Sequence, residues 1–146
     1  MRAVLDTNVV VSALLWGGTP DRLIQAAIDG ALELATSPAL IEELRAVLVR
    51  PPFAQRLTQQ RVRAEQAISL YARLATQVSP LAVEAIVAAD PDDDHVLACA
   101  IAARAELVVS GDRHLIDLKT HRGIRILTPA QALDIIAGQP SPGSAS

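Results

Sequence analysis

The stretch Arg2-Ala3-Val4-Leu5-Asp6-Thr7-Asn8 opens the chain with a short apolar run that ends abruptly at an acid. A second apolar stretch follows from Val9 to Trp16 and is closed by Gly17-Gly18. Two apolar runs with a polar break between them predict a strand, a tight turn at Asp6 to Asn8, and a helix that glycine terminates. The start of the chain is therefore predicted to be a strand–turn–helix unit.

The same alternation continues along the chain. Further strands are predicted at residues 32–35, 106–110 and 124–127, and Val78 is predicted to lie in a short third strand or extended segment. Helices are predicted between them, from Thr19-Pro20 to Gly30, from Ser37-Pro38 to Pro51-Pro52, from Thr58 to about Ala75, from His95 to Ala103, and over residues 129–137. Strands that alternate with helices indicate an α/β fold with a mainly parallel sheet of roughly five strands.

Length and composition favour a single globular domain over residues 1–137 of the 146. The tail 138–146 consists of Gly, Gln, Pro, Ser and Ala, which predicts disorder. The single cysteine, Cys99, lies in an apolar run and is predicted to be buried, so neither a disulfide framework nor a cysteine zinc site is available. Aromatic residues make up 2% of the chain, which argues against an aromatic platform for stacked bases. An acid at position 6 argues against a signal peptide, and the apolar runs are too short to span a membrane, so we expect a cytoplasmic protein.

The formal net charge is −3, whereas nucleic-acid-binding proteins usually carry a basic surface. Acids that hold cations would reverse the sign of the charge locally. Arginines also crowd the middle of the chain, at positions Arg45, Arg50, Arg56, Arg61, Arg63 and Arg73. The pattern is compatible with a solvated helix face and with a surface that faces phosphate groups.

Acids occur where the predicted elements begin or end. Asp6 and Asp112 directly follow predicted strands, Glu43 lies on the helix that precedes Pro51-Pro52, and residues 92–94 form an acidic run before the helix that begins at His95. Taken singly, such acids cap helices, lie in turns or face solvent. One helix cap does not require three consecutive acids, however, so the surplus in residues 92–94 favours a functional role.

Sites in parallel α/β sheets form beyond the carboxyl ends of the strands, where these acids can converge. Carboxylates held close together repel one another, and a hard divalent cation such as Mg²⁺ or Mn²⁺ removes that conflict. Open coordination positions can then accept a substrate phosphate, and a metal also helps an acidic site to accept a polyanion. The acids therefore predict a divalent-metal site that acts on phosphate esters.

Four segments together resemble the PIN-domain ribonucleases, and most closely the bacterial members of the VapC type of toxin–antitoxin toxins. The resemblance covers roughly residues 1–130 and is carried by Val4-Leu5-Asp6-Thr7-Asn8-Val9, by Ser37-Pro38 through Ile41-Glu42-Glu43-Leu44, by Asp90-Pro91-Asp92-Asp93-Asp94 with Leu97-Ala98, and by Val108-Val109-Ser110-Gly111-Asp112. It implies a three-layer α/β/α sandwich, one or two Mg²⁺ or Mn²⁺ ions, and cleavage of RNA. It also implies a homodimer and a cognate antitoxin protein.

The resemblance also implies which residues form the site. Asp6, Glu43, Asp94 and Asp112 match the acidic quartet of the family, and Asn8 and Ser110 match polar positions that support it. Glu43 is preferred to Glu42 because it directly precedes Leu44, and Asp94 is preferred because of its spacing to Leu97-Ala98. Asp92 or Asp93 could share or take the role of Asp94.

In the mechanism that the resemblance implies, Asp6 and Asp94 bind the main metal directly. Glu43 and Asp112 bind through water, hold a second metal or orient the nucleophile. Hydrolysis then leaves a 5′-phosphate and a 3′-hydroxyl.

Two other functions are compatible with parts of the sequence. Gly111-Asp112 with Asp117 has the spacing of a haloacid-dehalogenase-like phosphatase motif, but that pattern needs an Asp where Asn8 stands and a Lys between its two motifs. A catalytically silent RNA- or protein-binding module would fit the negative net charge, although a pure binder has no need of clustered like charges. His95 and His114 have no zinc-site spacing but could contact substrate, and Trp16 is predicted to lie in the core or an interface.

Overall fold

The computed structural model describes residues 1–79 and 91–138, with side chains omitted for residues 91–94. Of the predicted tail 138–146, Gly138 is described and caps the last helix, and the rest lies outside the described residues. In chain order the elements are β1 (Arg2–Leu5), α1 (Thr7–Trp16), α2 (Gly18–Ile28), β2 (Glu33–Thr36), α3 (Pro38–Leu48), α4 (Pro51–Gln59), α5 (Ala64–Leu74), β3 (Thr76–Gln77), α6 (Pro91–Ala103), β4 (Leu107–Val109), α7 (Arg113–Ile116), β5 (Thr120–His121), β6 (Ile124–Leu127) and α8 (Pro129–Ala137).

The strands of the described residues form one six-stranded sheet in the order β3-β2-β1-β4-β6-β5. Every neighbouring pair is parallel except β5 and β6, which are antiparallel. The chain moves outward from β1 to β2 and β3, and then returns to add β4 on the other side of β1. The strand order thus reverses between β1 and β4, which is where ligands bind in open α/β sheets.

The sheet has a hydrophobic core on each face because alternate residues of a strand point to opposite sides. In β1, Ala3 and Leu5 belong to one cluster of buried residues and Val4 belongs to the other. The first cluster includes buried residues of α1, α2, α3, α4, α5 and α8, whereas α6 and α7 cover the second. This arrangement confirms the mainly parallel α/β sandwich with helices on both faces, with one strand more than predicted. No helix in the described part of the chain is long and apolar enough to cross a membrane.

The helix starts predicted at Thr19, Thr58 and His95 are wrong, and the last of these helices begins four residues earlier, at Pro91. Thr19 does not cap α2, because the helix begins one residue earlier, at Gly18, after Gly17 at a φ of 72°. Thr58 does not begin the long predicted helix but lies near the end of α4, where its hydroxyl donates to the carbonyl of Ala54. Pro51-Pro52 predicts the end of a helix, but proline is also favoured in the first turn of a helix. In the structure these prolines begin α4, which the sequence pattern did not predict.

A left-handed residue separates α4 from α5. Arg61 has a φ of 59°, and the N–H of Val62 donates to the carbonyl of Leu57 at 3.0 Å. This geometry terminates α4, so the chain restarts at Ala64 as a second helix. The remaining elements missed from the sequence, α7 and β5, are four and two residues long, which is too short for a hydrophobic period to reveal them.

Candidate active site

A cleft of about 500 Å³ opens at the carboxyl ends of β1 and β4, beside one face of α3. Its lining consists of Asp6, Thr7, Asn8, Ala39, Glu42, Glu43, Ala46, Val47, Arg50, His95 and Asp112. Three members of the predicted acidic quartet, Asp6, Glu43 and Asp112, therefore share one cavity, although they are far apart in the chain. The cleft lies where the strand order reverses, as expected for a ligand site in this class of sheet.

Asp6 is positioned by the end of β1 and the start of α1. Its N–H donates to the carbonyl of Val109 at 2.9 Å, which extends the pairing of β1 with β4 by one residue. Its backbone is extended, and Oδ1 accepts a hydrogen bond from the N–H of Thr7 at 2.8 Å as the cap of α1. Asp6 is 7% exposed, and these two hydrogen bonds fix it between the two elements.

Ser110 joins the two strand ends. Its hydroxyl donates to Oδ2 of Asp6 at 2.8 Å, and the serine Oγ accepts a hydrogen bond from the N–H of Asp112 at 2.9 Å. Ser110 is fully buried, whereas Asp112 is half-buried and accepts from the N–H of His114 as the cap of α7. The serine therefore orients the carboxylate of one acid and the backbone of the other.

Glu43 is held by a residue that the sequence did not single out. The hydroxyl of Thr7 donates to Oε2 of Glu43 at 3.0 Å, which links α3 to the start of α1. Thr7 is 8% exposed. Its only signal in the sequence was its place between Asp6 and Asn8, because a threonine in the first turn of a helix is otherwise ordinary.

The neighbouring acid Glu42 has a different environment. Its side chain is 70% exposed and forms an ion pair with Arg45, which also binds Glu65 of α5 at 2.7 Å. The side-chain hydrogen bond from Arg45 lowers the pKa of the Glu65 carboxyl. Glu42 is thus tied to a surface ion-pair group, whereas Glu43 contacts the residue that follows Asp6.

The other acids of the predicted site lie at the start of α6. The side chains of Asp92, Asp93 and Asp94 are outside the described residues, so the choice among them stays a prediction. His95, the next residue of α6, lines the cleft and is half-buried. Asn8 is exposed and also lines the cleft, so it lies beside the acids that it was predicted to support.

Comparison with known proteins identifies the family of this chain. A family model described as PIN domain matches residues 2–114. The chain belongs to the PIN domain family. PIN domains are generally nucleases, and PIN-domain nucleases generally use divalent metals. No curated protein matches the chain.

Among solved structures, this PIN domain is similar in fold to a chain of the crystal structure of VapBC2 from Rickettsia felis bound to a DNA fragment from their promoter. The TM-score is 0.58 and the sequence identity is 16%, and the match covers 86% of this chain and 97% of that chain. At this identity the likeness concerns the fold.

The donor set of this PIN domain fits a hard divalent cation. The acids on the cleft supply carboxylate oxygens, and Asn8 and His95, which also line it, could add an amide oxygen and an imidazole nitrogen. Mg²⁺ and Mn²⁺ prefer such oxygen ligands. Within the residues whose side chains are described, no three His, Cys, Asp or Glu side chains lie close enough to form a metal site by themselves.

Proposed function

We propose that this PIN domain is a metal-dependent ribonuclease and the toxin of a type II toxin–antitoxin pair. The observation that carries the proposal is the shared cleft of Asp6, Glu43 and Asp112 outside the carboxyl ends of β1 and β4. Membership of a family whose members are generally nucleases supports hydrolysis of phosphodiester bonds.

In the proposed site, Asp6, Glu43 and Asp112 would hold one or two Mg²⁺ or Mn²⁺ ions together with Asp94, which directly precedes His95 in α6. Asp92 or Asp93 is the alternative to Asp94. When bound, the ion supplies charge compensation for the carboxylates and the phosphate and makes water a stronger acid. Such compensation favours the approach of a scissile phosphate to this many carboxylates.

The chain's own groups then position the reactants. Ser110 holds the Asp6 carboxylate through Oδ2, and Thr7 holds Glu43 through Oε2. Both acids are therefore fixed in orientation before substrate arrives, which lowers the cost of assembling the reactive geometry. A water molecule adds to phosphorus, the bond from phosphorus to O3′ breaks, and O3′ takes up a proton. The products are a 5′-phosphate and a 3′-hydroxyl.

The test is cleavage of single-stranded and structured RNA by the purified protein with Mn²⁺ or Mg²⁺. We expect activity that excess EDTA abolishes and that Asp6→Asn lowers by at least about a hundredfold. Asn can still cap α1, so the variant is expected to fold. Equal cleavage in EDTA, or full activity of Asp6→Asn, would contradict the proposal.

Asp117→Asn is the matched control. Asp117 is exposed at the end of α7 and does not line the cleft, so its loss is expected to leave ribonuclease activity intact. It is also the second acid of the phosphatase-like motif. Hydrolysis of p-nitrophenyl phosphate that depends on Asp117, without cleavage of RNA, would support the phosphatase instead.

The toxin role requires a cognate antitoxin protein. The likeness in fold to a chain of VapBC2 supports such a partner for this chain, and the family resemblance also implies a homodimer. We expect induced expression of the wild-type protein to slow bacterial growth and degrade RNA, and Asp6→Asn to do neither. Light scattering of the purified protein tests the homodimer.

A further inference from the structure

We propose that Arg50 binds a phosphate of the RNA next to the scissile one and so sets the path of the strand out of the cleft. The inference rests on the proposed function for its ligand, RNA. Among the described residues that line the cleft, Arg50 is the one arginine or lysine, and it faces a lining that includes four acids. A cation at the margin of an acidic cleft favours the binding of a polyanion there.

Arg50 is available for this contact, whereas two other arginines of the same region are occupied. Arg45 binds Glu42 and Glu65, and Arg56 donates to the carbonyl of Leu15 at 2.9 Å. Within the part of the chain that the structure describes, the exposed Arg50 side chain forms neither a hydrogen bond nor an ion pair. Of the six central arginines, Arg50 is the one that lines the cleft.

The backbone of Arg50 is held at the junction of α3 and α4. Its N–H donates to the carbonyl of Val47 at 3.0 Å, and its own carbonyl accepts from the N–H groups of Phe53 and Ala54. Its extended conformation, with a φ of −67° and a ψ of 143°, is the one that a following proline favours. A flexible guanidinium thus extends from a fixed point beside the cleft.

The spacing of Arg50 from the acids assigns it to a neighbouring phosphate. Glu43, Val47 and Arg50 line the cleft at positions i, i+4 and i+7, which places them along one face of α3 and its end. Seven residues correspond to roughly 10 Å along a helix axis. This separation along the cleft places the Arg50 backbone away from the acids, and we assign its side chain to a phosphate next to the one bound there.

The test uses binding as well as cleavage. A labelled single-stranded RNA oligonucleotide is titrated with protein in the Asp6→Asn background, with fluorescence anisotropy measured at several KCl concentrations. Arg50→Ala is expected to weaken binding about fivefold and to make the slope of log K against log salt shallower by about 0.7, the value for one single-strand phosphate contact. Arg50→Lys should restore most of the affinity because it restores the charge.

Arg22→Ala is the matched control, since Arg22 is exposed on α2 and does not line the cleft. Equal affinities and salt slopes for Arg50→Ala and Arg22→Ala would overturn the inference, as would the absence of RNA binding by the Asp6→Asn protein and the wild-type protein alike. If that background fails to fold by circular dichroism, Asp112→Asn replaces it. RNA binding that depends on Arg50 in a protein that cleaves no RNA would contradict the proposed hydrolysis and leave the Arg50 contact standing.

Discussion

The hydroxyl of Ser110 donates a 2.8 Å hydrogen bond to Oδ2 of Asp6, although the two residues are 104 positions apart in the chain. The bond is buried, and it joins the ends of the two strands between which the strand order of the sheet reverses. A hydrogen bond to a buried carboxylate both stabilises the fold and orients the acid. The structural core and the candidate active site therefore meet at this contact.

Ser110→Ala removes that hydroxyl from a fully buried position. We expect ribonuclease activity to fall about tenfold, since an oriented acid becomes free to rotate, and the free energy of unfolding to fall by about 1–3 kcal/mol. Steady-state kinetics and urea unfolding measure the two effects. Ser69→Ala, at an exposed position of α5, is the control. Equal steady-state kinetics for Ser110→Ala and Ser69→Ala would show that activity does not depend on the Ser110 hydroxyl.

The adjacent acids Glu42 and Glu43 allow a matched comparison. Glu43→Gln removes the charge next to Thr7 and Asp6, so we expect activity to fall about 10- to 100-fold. Glu42→Gln removes a charge that pairs with Arg45 at the surface, and activity should change less than about twofold. The activities of the two variants are compared by their initial rates of cleavage of a fluorogenic RNA. The assignment of Glu43 is wrong if the order of the two effects is reversed.

Metal binding can be measured without activity. A ligand that binds only the folded state raises the melting temperature, and a concentration of 100 times Kd corresponds to a shift of roughly 5–10 °C for a chain of this size. We expect Mn²⁺ to produce such a shift in the wild-type protein and in Asp117→Asn, but not in Asp6→Asn. Differential scanning fluorimetry with and without EDTA provides the measurement. An equal shift in all three proteins would place the ion outside the cleft.

Cys99 is predicted to make stability depend on pH in the alkaline range. Burial raises the pKa of its thiol to about 11, whereas an unfolded cysteine titrates near 8.5. Because the folded pKa is the higher one, the stabilisation is present below about pH 8.5 and is lost as the pH rises toward 11. We expect the free energy of unfolding to fall by about 2 kcal/mol over that window.

Cys99→Ala removes this titration and serves as the control. Urea unfolding between pH 8 and pH 11 should show a smaller loss of stability in the variant than in the wild type. The wild-type thiol should also react slowly with Ellman's reagent until the protein is unfolded. Rapid labelling of the folded protein would contradict the burial of Cys99, which is fully inaccessible.

Substitution by glycine is expected to have opposite effects on stability at Arg61 and at Arg22. Arg61 has a φ of 59°, which costs a residue with a Cβ about 1 kcal/mol, so Arg61→Gly is expected to stabilise the protein by up to that amount. Arg22→Gly, inside α2, is expected to destabilise it by about 0.5–1 kcal/mol. Thermal and urea unfolding measure both changes. Equal destabilisation by the two variants would show that the turn between α4 and α5 is not left-handed in solution.

The interruption at Arg61 also shows where local patterns failed. The polar and apolar residues from Thr58 to Ala75 suit one amphipathic helix, and the arginine at position 61 is a good helix former. The chain instead ends α4 before the left-handed Arg61 and begins α5 at Ala64, and the two separate helices bury Leu57 and Ile68 in the same core. Tertiary packing overrides propensity at this point.

Local chemistry within the sequence was sufficient to predict the strand–turn–helix units, the capping of α3 by Ser37 and the acids that follow β1 and β4. Such features depend on residues a few positions apart, so a pattern of spacing reveals them. The hydrogen bond from Thr7 to Glu43 spans 36 positions, and the place of Arg50 at the cleft depends on how α3 is rotated against the sheet. Only the folded chain decides these contacts, because the strand order and helix packing that create them result from burying two cores at once.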